Sequence, residues 1–166
     1  MEIEKKFFVK NVPDLNNCQF YNINQGYISF TPEVRIRKKE EDYYLTFKGE
    51  GTQNRNEDET PIDKKAYNIL MMAVQGRLIE KIRYVIPLYD GLVAELDIYH
   101  GDLEGLMTVE TEFKIDEQAD SFIVPDWFGE EITEDKRYKN KNLARLENVQ
   151  ELIPQDGSKK LKKGKV

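Results

Sequence analysis

Charged residues of this chain alternate with apolar ones in short segments, and most of these segments carry one sign of charge: Glu-x-Glu, Arg-x-Arg, Lys-x-Arg or Glu-x-Asp. The acidic members are Glu2, Glu4, Glu57, Glu59, Glu95, Asp97, Glu110 and Glu112. The basic members are Lys6, Arg35, Arg37, Lys48, Lys81 and Arg83. Arg binds phosphate oxygens through paired hydrogen bonds and Lys binds them as a point charge, whereas carboxylates hold Mg²⁺ next to phosphates. These residue types predict a site for a compact polyanion and a divalent metal ion.

The remaining residue types limit what other chemistry is possible. The single histidine, His100, and the single cysteine, Cys18, exclude a two-His zinc site, a Cys-type metal site and an intramolecular disulfide. A net charge of -6 argues against a surface that coats nucleic acid or an anionic membrane. The sequence shows neither a signal peptide nor an apolar run of about 18 residues. We therefore expect a cytoplasmic monomer or homodimer that has no nucleic-acid or membrane partner.

The elements that position these charges are predicted to be β-strands, because residues two apart on a strand point to the same face. Alternation and turn signals predict eight strands, over 1–9, 26–30, 33–39, 43–49, 53–59, 79–88, 92–99 and 107–114. The dipeptide Asp90-Gly91 provides the positive φ of a tight turn. The strands on either side of it, 79–88 and 92–99, should therefore pair as an antiparallel hairpin.

One segment has helical periodicity instead, and predicts a helix over 61–75. It begins with Thr60 as the N-cap and Pro61 as the first helical residue, and Gly76 is its expected end. Shorter helices are predicted from Asp116 and over roughly 141–151. The end of the chain, 155–166, is rich in lysine and poor in apolar residues, so we expect a disordered tail after a single domain formed by 1–154.

The charged face of the strands has two interpretations. It is the solvated side of an ordinary antiparallel sheet, or it is the interior of a closed barrel. The sorting of charges by sign favours the barrel, since a solvated face usually mixes signs and neutral polar residues. The outward apolar face would then be covered by the helix 61–75 and the C-terminal segment. The predicted fold is mainly β with flanking helices (α+β), a closed eight-stranded antiparallel β-barrel with a charged interior.

The order of the motifs resembles the CYTH domain, or triphosphate tunnel metalloenzyme, family. The resemblance covers about residues 1–146 and rests on Glu2-Ile3-Glu4-Lys5-Lys6, Gln25-Gly26-Tyr27, Arg35-Ile36-Arg37, Thr46-Phe47-Lys48-Gly49, Arg55-Asn56-Glu57-Asp58-Glu59, Lys81-Ile82-Arg83, Glu95-Leu96-Asp97, Glu110-Thr111-Glu112-Phe113, Asp135-Lys136-Arg137-Tyr138 and Asn142-Leu143-Ala144. It implies a tunnel in which divalent metal supports hydrolysis of inorganic tripolyphosphate, thiamine triphosphate or RNA 5′-triphosphate ends, or cyclisation of ATP.

The resemblance also implies roles for individual residues. The substrate would be bound by Lys6, Arg35, Arg37, Lys48, Lys81 and Arg83, with Arg137 near the mouth. Mg²⁺ or Mn²⁺, in two sites whose division stays open, would be held by Glu2, Glu4, Glu59, Glu95, Asp97, Glu110 and Glu112. The catalytic group would be Glu57, Glu59, Asp97, Lys81 and Tyr27. In this group the Tyr27 hydroxyl is expected to hydrogen-bond Lys81.

The choice of substrate rests on what the chain lacks. No obvious aromatic platform for a nucleobase or thiazolium ring occurs, so the sequence favours metal-dependent hydrolysis of inorganic tripolyphosphate. A nucleoside or thiamine triphosphatase, or an adenylate cyclase of class IV type, is the alternative. A non-catalytic module that binds polyanions is less favoured, because unpaired carboxylates in a confined site would be costly for a pure anion binder.

Overall fold

The fold is built from antiparallel strands that follow one another along the chain. The computed structural model describes residues 3–48 and 57–154, and only the backbone of 57 and 58. The strands within these ranges are β1 (Ile3–Val9), β2 (Gln19–Ser29), β3 (Glu33–Lys39), β4 (Asp42–Lys48), β5 (Glu57–Ile62), β6 (Gln75–Pro87), β7 (Val93–His100), β8 (Met107–Phe113) and β9 (Phe128–Glu131). The α-helices are α1 (Lys64–Met71), α2 (Asp116–Asp120) and α3 (Asn140–Arg145). No helix of the described residues is long and apolar enough to span a membrane.

The strands join into one sheet in the order β5-β4-β3-β2-β6-β7-β8-β1-β9. Consecutive strands pair with each other from β2 through β5 and again from β6 through β8. The β2–β6 and β1–β8 pairs, in contrast, join segments that are far apart in sequence. Asp90 and Gly91, with φ of 53° and 74°, form the turn between β6 and β7. The hairpin predicted from this dipeptide is therefore confirmed.

Within the described residues the sheet is not closed into a barrel, which corrects the predicted closure, and the predicted count of eight strands is not confirmed. The described residues form nine strands, and the edge strands β5 and β9 do not pair with each other. The mainly β, antiparallel class is confirmed. Sequence alternation did not predict β9 because this strand has only four residues, too few for a period of two to be recognised. Closure could not be read from alternation either, since it depends on where two edges meet in space.

Helix α1 is shorter than the predicted helix over 61–75. Thr60 and Pro61 belong to β5, an edge strand, where the missing N–H of proline is tolerated. The N-cap is Asp63, whose Oδ1 accepts a hydrogen bond from the Ala66 backbone N–H at 2.7 Å. Gly76 lies in β6 with a φ of +68°, and a Cβ there would collide with the backbone carbonyl of Ala144. Its role is therefore to let α3 approach β6 closely, and not to end a helix.

Apolar clusters lie on both faces of the sheet. One includes Phe7, Leu96 and Val109, which point away from the charged residues. Helix α1 lies on this outer face, where the Tyr67 ring is 4.9 Å from that of Tyr43. The C-terminal segment, in contrast, does not cover the apolar face as predicted. It packs in a second cluster against Phe8, Tyr27, Ile79 and Tyr99, whose side chains share the face of the charged residues.

This second cluster decides where a ligand can bind. The C-terminal segment contributes Tyr138, Leu143 and Leu152 to it, and all three are buried. The charged face is therefore closed by apolar packing at one end, the end at which β2 and β7 finish and β6 and β8 begin. The charged side chains occupy the remainder of that face.

Candidate active site

A buried group of ions lies where β6 pairs with β7. Arg83 opposes Asp97 in the register of the two strands, and Lys81 opposes Tyr99. Arg83 Nε and one of its terminal nitrogens donate to the two Asp97 oxygens at 2.8 and 2.9 Å. Lys81 Nζ lies 2.9 Å from Asp97 Oδ2. Because Lys81 is 2% exposed and Asp97 5%, these two side chains have very little contact with solvent.

Burial and the neighbouring charges oppose each other in this group, and the balance differs between its members. It lowers the pKa of Lys81 to about 7, since the attraction of Asp97 does not outweigh burial and the repulsion of Arg83 and Arg37. Burial alone would raise the pKa of Asp97, but Lys81 and Arg83 and their hydrogen bonds hold it well below its usual range. Asp97 therefore stays ionised at any pH near neutrality.

A second group lies where β3 pairs with β2. Gln25 opposes Arg37 and Tyr27 opposes Arg35. Arg37 Nε donates to Gln25 Oε1 at 3.1 Å, and Gln25 Nε2 donates to Tyr27 Oη at 3.1 Å. Tyr27 is also hydrogen-bonded to Arg35. Burial, with the charges of Arg35 and Arg83, lowers the pKa of Arg37 to about 10.

The hydroxyl of Tyr27 was predicted to bond Lys81, and the structure gives it other partners. It hydrogen-bonds Gln25 and Arg35, while the ion-pair partner of Lys81 is Asp97. Burial raises the pKa of Tyr27, so the hydroxyl is protonated at neutral pH. Its catalytic role stays a prediction.

Glu33 joins two of the predicted cations and was missed from the sequence. Its Oε2 lies 3.2 Å from a terminal nitrogen of Arg35 and 3.5 Å from Lys48 Nζ. Glu33 is two residues before Arg35 and so shares its face of β3. That parity was the signal that could have identified it.

A group of carboxylates lies at the β1–β8 pair, formed by Glu4, Glu110 and Glu112. One oxygen from each lies within 4.8 Å of the other two. Burial, together with the hydrogen bond and the charge of Glu4, raises the pKa of Glu110 to about 7. Several carboxylates so close together are mutually repulsive, and oxygen ligands suit hard divalent cations. The donor set therefore fits Mg²⁺ or Mn²⁺.

Other predicted residues lie beside these groups. Lys6 Nζ donates to the Tyr138 carbonyl at 2.8 Å and is 4.0 Å from Glu110 Oε2. Glu95 Oε2 lies 3.4 Å from a terminal nitrogen of Arg83. Glu59, on the edge strand β5, is exposed, and its carboxylate accepts a hydrogen bond from Thr46 at 3.4 Å. The three side chains extend the charged face on both sides of the buried ions.

Arg137 lies beside the charged face of the sheet, and its side chain is not one of those that form this face. Its guanidinium is exposed and donates to Asp135 at 2.7 and 2.9 Å. The neighbouring Tyr138 carbonyl is the acceptor for Lys6. Glu2 and the side chain of Glu57 lie outside the described residues.

Tyr99 is a further residue that the sequence analysis missed. Its hydroxyl donates to Asn140 Oδ1 at 2.8 Å, and its ring centre lies 5.5 Å from Lys81 Nζ. Parity with Asp97 places it on the charged face, but its contact with Lys81 depends on pairing of β6 with β7. Tyr99 thus connects Lys81 to the start of α3.

The fold and these side chains together define a mainly β protein with one face suited to a polyanion and a divalent metal ion. The chain is 46% identical over 147 residues to the inorganic triphosphatase of Nitrosomonas europaea, an alignment that covers 86% of this chain and 96% of that protein. It is 38% identical over 149 residues to the inorganic triphosphatase of Acetivibrio thermocellus, with coverage of 87% and 93%. A crystal structure of an inorganic triphosphatase superimposes with a TM-score of 0.73 at 44% identity, covering 87% of this chain and 94% of the other.

The chain therefore belongs to the family of the inorganic triphosphatases. The prediction that it is a hydrolase acting on phosphoanhydrides is confirmed. No protein-family model matches the chain, so its membership of the CYTH domain family stays a prediction.

Proposed function

We propose that this protein hydrolyses a phosphoanhydride bond of inorganic tripolyphosphate with the help of a divalent metal ion. The observation that carries the proposal is the placement of two cations, the buried Lys81 and the half-buried Arg37, on the same sheet face as the Glu4, Glu110 and Glu112 group. Cations on one side and a metal held on the other would surround a linear triphosphate. The two relatives named inorganic triphosphatases support tripolyphosphate as the substrate.

The cations would divide the work of binding the phosphates. Among the hydrogen bonds of the described residues, Arg37 is held through Nε, which leaves its two terminal nitrogens to bind phosphate oxygens in pairs. Among the described side chains, Asp97 is the carboxylate that forms an ion pair with Lys81, so an ammonium there can add a second, anionic partner. Lys6, Arg35, Lys48 and Arg83 would extend the same surface. Arg137 would not be among the residues that contact the phosphates directly, since its guanidinium is bound to Asp135.

The carboxylates would hold the metal and orient water. Glu4, Glu110 and Glu112 are proposed as ligands of Mg²⁺ or Mn²⁺, and Glu2, Glu59 and Glu95 as further ligands, with Glu57 placing the attacking water. When bound, such a metal neutralises phosphate charge and acidifies a water ligand. Both oxygens of Asp97 contact Arg83 or Lys81. Its first task in this proposal is therefore to orient these two cations, ahead of any role as a ligand.

A substrate panel tests the proposal. The purified protein is incubated with tripolyphosphate, thiamine triphosphate or ATP, each with Mg²⁺ or Mn²⁺, and the products are identified. We expect the fastest release of phosphate from tripolyphosphate, with pyrophosphate as the other product. Cyclic AMP as the chief product, or faster hydrolysis of ATP or thiamine triphosphate, would contradict it and favour one of the alternatives.

The variant Glu4→Gln tests the metal assignment separately. It removes one charged ligand while keeping the shape of the side chain, and we expect turnover of tripolyphosphate to fall by roughly 100-fold or more. Glu104→Gln, at an exposed carboxylate outside the site, is the matched control and should retain full turnover. Unchanged phosphate release from Glu4→Gln would show that the metal is held elsewhere. The cytoplasmic location, the oligomeric state and the disorder of 155–166 stay predictions.

A further inference from the structure

The side-chain amide of Gln25 connects residues of the proposed phosphate-binding face to one another. Gln25 is 0% exposed. Its Oε1 accepts from Arg37 Nε and its Nε2 donates to Tyr27 Oη, both at 3.1 Å. Tyr27 is in turn hydrogen-bonded to Arg35. A chain of hydrogen bonds that passes through the buried side chains of Gln25 and Tyr27 therefore runs from one arginine of the Arg35-Ile36-Arg37 motif to the other.

Gln25 differs from the groups that hold the neighbouring arginines. Arg83 is held by the carboxylate of Asp97, and Arg35 lies 3.2 Å from the carboxylate of Glu33. For Arg37, no carboxylate among the described side chains lies within ion-pair distance, and its hydrogen-bond partner is the neutral amide. The amide fixes the guanidinium without neutralising its charge.

The bond from Gln25 also determines which nitrogens of Arg37 remain available. It uses the single Nε–H, and no described residue accepts a hydrogen bond from the terminal nitrogens, which keep their four N–H donors for a ligand. A long, flexible side chain that is held in place before binding loses less entropy when the ligand arrives. Arg35 and Arg83 repel Arg37 electrostatically, and the amide bond opposes the displacement that this repulsion favours.

We propose that Gln25 is a positioning residue that holds Arg37 ready for a phosphoryl group of the substrate, and that an uncharged acceptor is required at this place. A carboxylate there would form an ion pair with Arg37 and compete with the phosphate. The inference rests on the proposed function, because it specifies how the triphosphate is recognised in that site.

Two variants separate the orientation of Arg37 from its charge. Gln25→Met removes both hydrogen bonds at similar volume, and the KM for tripolyphosphate should rise roughly tenfold, the lower range for a hydrogen bond to a charged group. Gln25→Glu keeps the shape and the acceptor but adds a charge, and the KM should rise further. In both variants kcat should stay within about threefold, since the contact is made in the ground state and the transition state alike.

The matched control is Asn24→Met, at the next position of β2, on the opposite face of the sheet and half-buried. It should leave the KM unchanged. Circular dichroism and thermal melting of each variant monitor the fold. A folded Gln25→Glu variant with an unchanged KM would overturn the inference even if Gln25→Met did not fold.

A double-mutant cycle with Arg37→Met tests whether Gln25 acts through Arg37. The dissociation constant for tripolyphosphate is measured by calorimetry without metal, so that turnover is not needed. We expect Gln25→Met to weaken binding in the wild-type background and to have no further effect when Arg37 is already Met. An equal loss in both backgrounds would show a role that does not involve Arg37 and would overturn the inference. If the wild-type protein binds tripolyphosphate but does not hydrolyse it, the proposed function fails while this cycle still decides the inference.

Discussion

At the scale of single residues, Glu110 shows how carboxylates held close together at the β1–β8 pair lower the stability of the folded chain. Burial and the neighbouring Glu4 raise its pKa from 4.5 to about 7. For an acid whose pKa is higher in the folded state, the folded protein binds more protons than the unfolded one between these two values. The free energy of unfolding therefore falls as the pH rises from about 4.5 to about 7, and the loss is complete above that range.

The variant Glu110→Gln tests this description on the metal-free protein. At pH 8 the variant should be more stable than the wild type by up to about 3 kcal/mol, since it removes the cost of ionising this carboxyl. At pH 4.5 the gain should nearly vanish, because the wild-type carboxyl is then protonated in the folded state. Urea unfolding with a chelator present at both pH values measures the difference, and Glu117→Gln, at an exposed position of α2, is the control. A variant less stable than the wild type at pH 8 would contradict the raised pKa.

Asp97 has the opposite behaviour. Its pKa is held below the ordinary value, so its stabilising effect is present throughout neutral pH and is lost only as the pH falls below about 4 toward the folded-state value. Asp97→Asn should lower the free energy of unfolding at pH 7 by about 3 kcal/mol, because Lys81 and Arg83 lose their buried partner.

Glu95→Gln is the matched control for this change. Glu95 also contacts Arg83, at 3.4 Å, but is one-third exposed, so its replacement should cost no more than about 1 kcal/mol. Urea unfolding at pH 7 compares the two variants. Equal losses from both would mean that the buried ions are not held mainly by Asp97.

At the scale of elements, Arg77 of β6 helps to hold the C-terminal segment against the sheet. Arg77 donates to the carbonyls of Leu143, Leu146 and Glu147 at 2.5, 2.6 and 3.1 Å. These carbonyls lie at and beyond the end of α3, where intrahelical donors run out. Gly76 precedes Arg77 and allows the close approach of α3 to β6. Together the two residues keep the apolar end of the charged face closed.

Arg77→Met should loosen this attachment. The three carbonyls would lose their charged donor, so amide hydrogen exchange over residues 140–152 should become faster and the global stability should drop by about 2 kcal/mol. The control is Arg145→Met, in α3, where the side chain is exposed and bonds only Asn142 at 2.6 Å among the hydrogen bonds of the described residues. Exchange rates that do not change in Arg77→Met would show that apolar packing alone holds the segment.

At the scale of the whole molecule, a face with carboxylates and cations held close together should be stabilised by the ligand that it fits. A ligand that binds only the folded state, at 100 times its Kd, stabilises by about 2.7 kcal/mol. For a chain of 166 residues this corresponds to a rise in Tm of roughly 5–10 °C. We expect this rise with tripolyphosphate and Mg²⁺ together, measured by thermal melting.

Sulfate at matched ionic strength is the control for nonspecific anion effects on the melting temperature, and should give a much smaller rise. Arg37→Met should reduce the response to tripolyphosphate. Equal responses to sulfate and tripolyphosphate would contradict a site built for a triphosphate.

The sequence by itself determined which side chains share a face. The period of two along a strand places Lys81 with Arg83 and Glu95 with Asp97, and in the structure both pairs lie on the same face of the sheet. It also located the Asp90-Gly91 turn and helix α2, since each depends on residues close in the chain. The N-cap of α1 was placed at Thr60 instead of Asp63, because both residue types are good caps and only the extent of β5 distinguishes them.

Only the tertiary structure decided which of these residues meet. The pairing of β2 with β6 and of β1 with β8 joins segments far apart in the chain, and it brings Glu4 to Glu112 and places Gln25 among the cations. The edge positions of β5 and β9 in the sheet of the described residues likewise follow from where the strands end in space. Alternation records the direction of a side chain, whereas a hydrogen bond requires a partner at about 3 Å. For that reason the charged face was predictable from the sequence, and the amide that holds Arg37 was not.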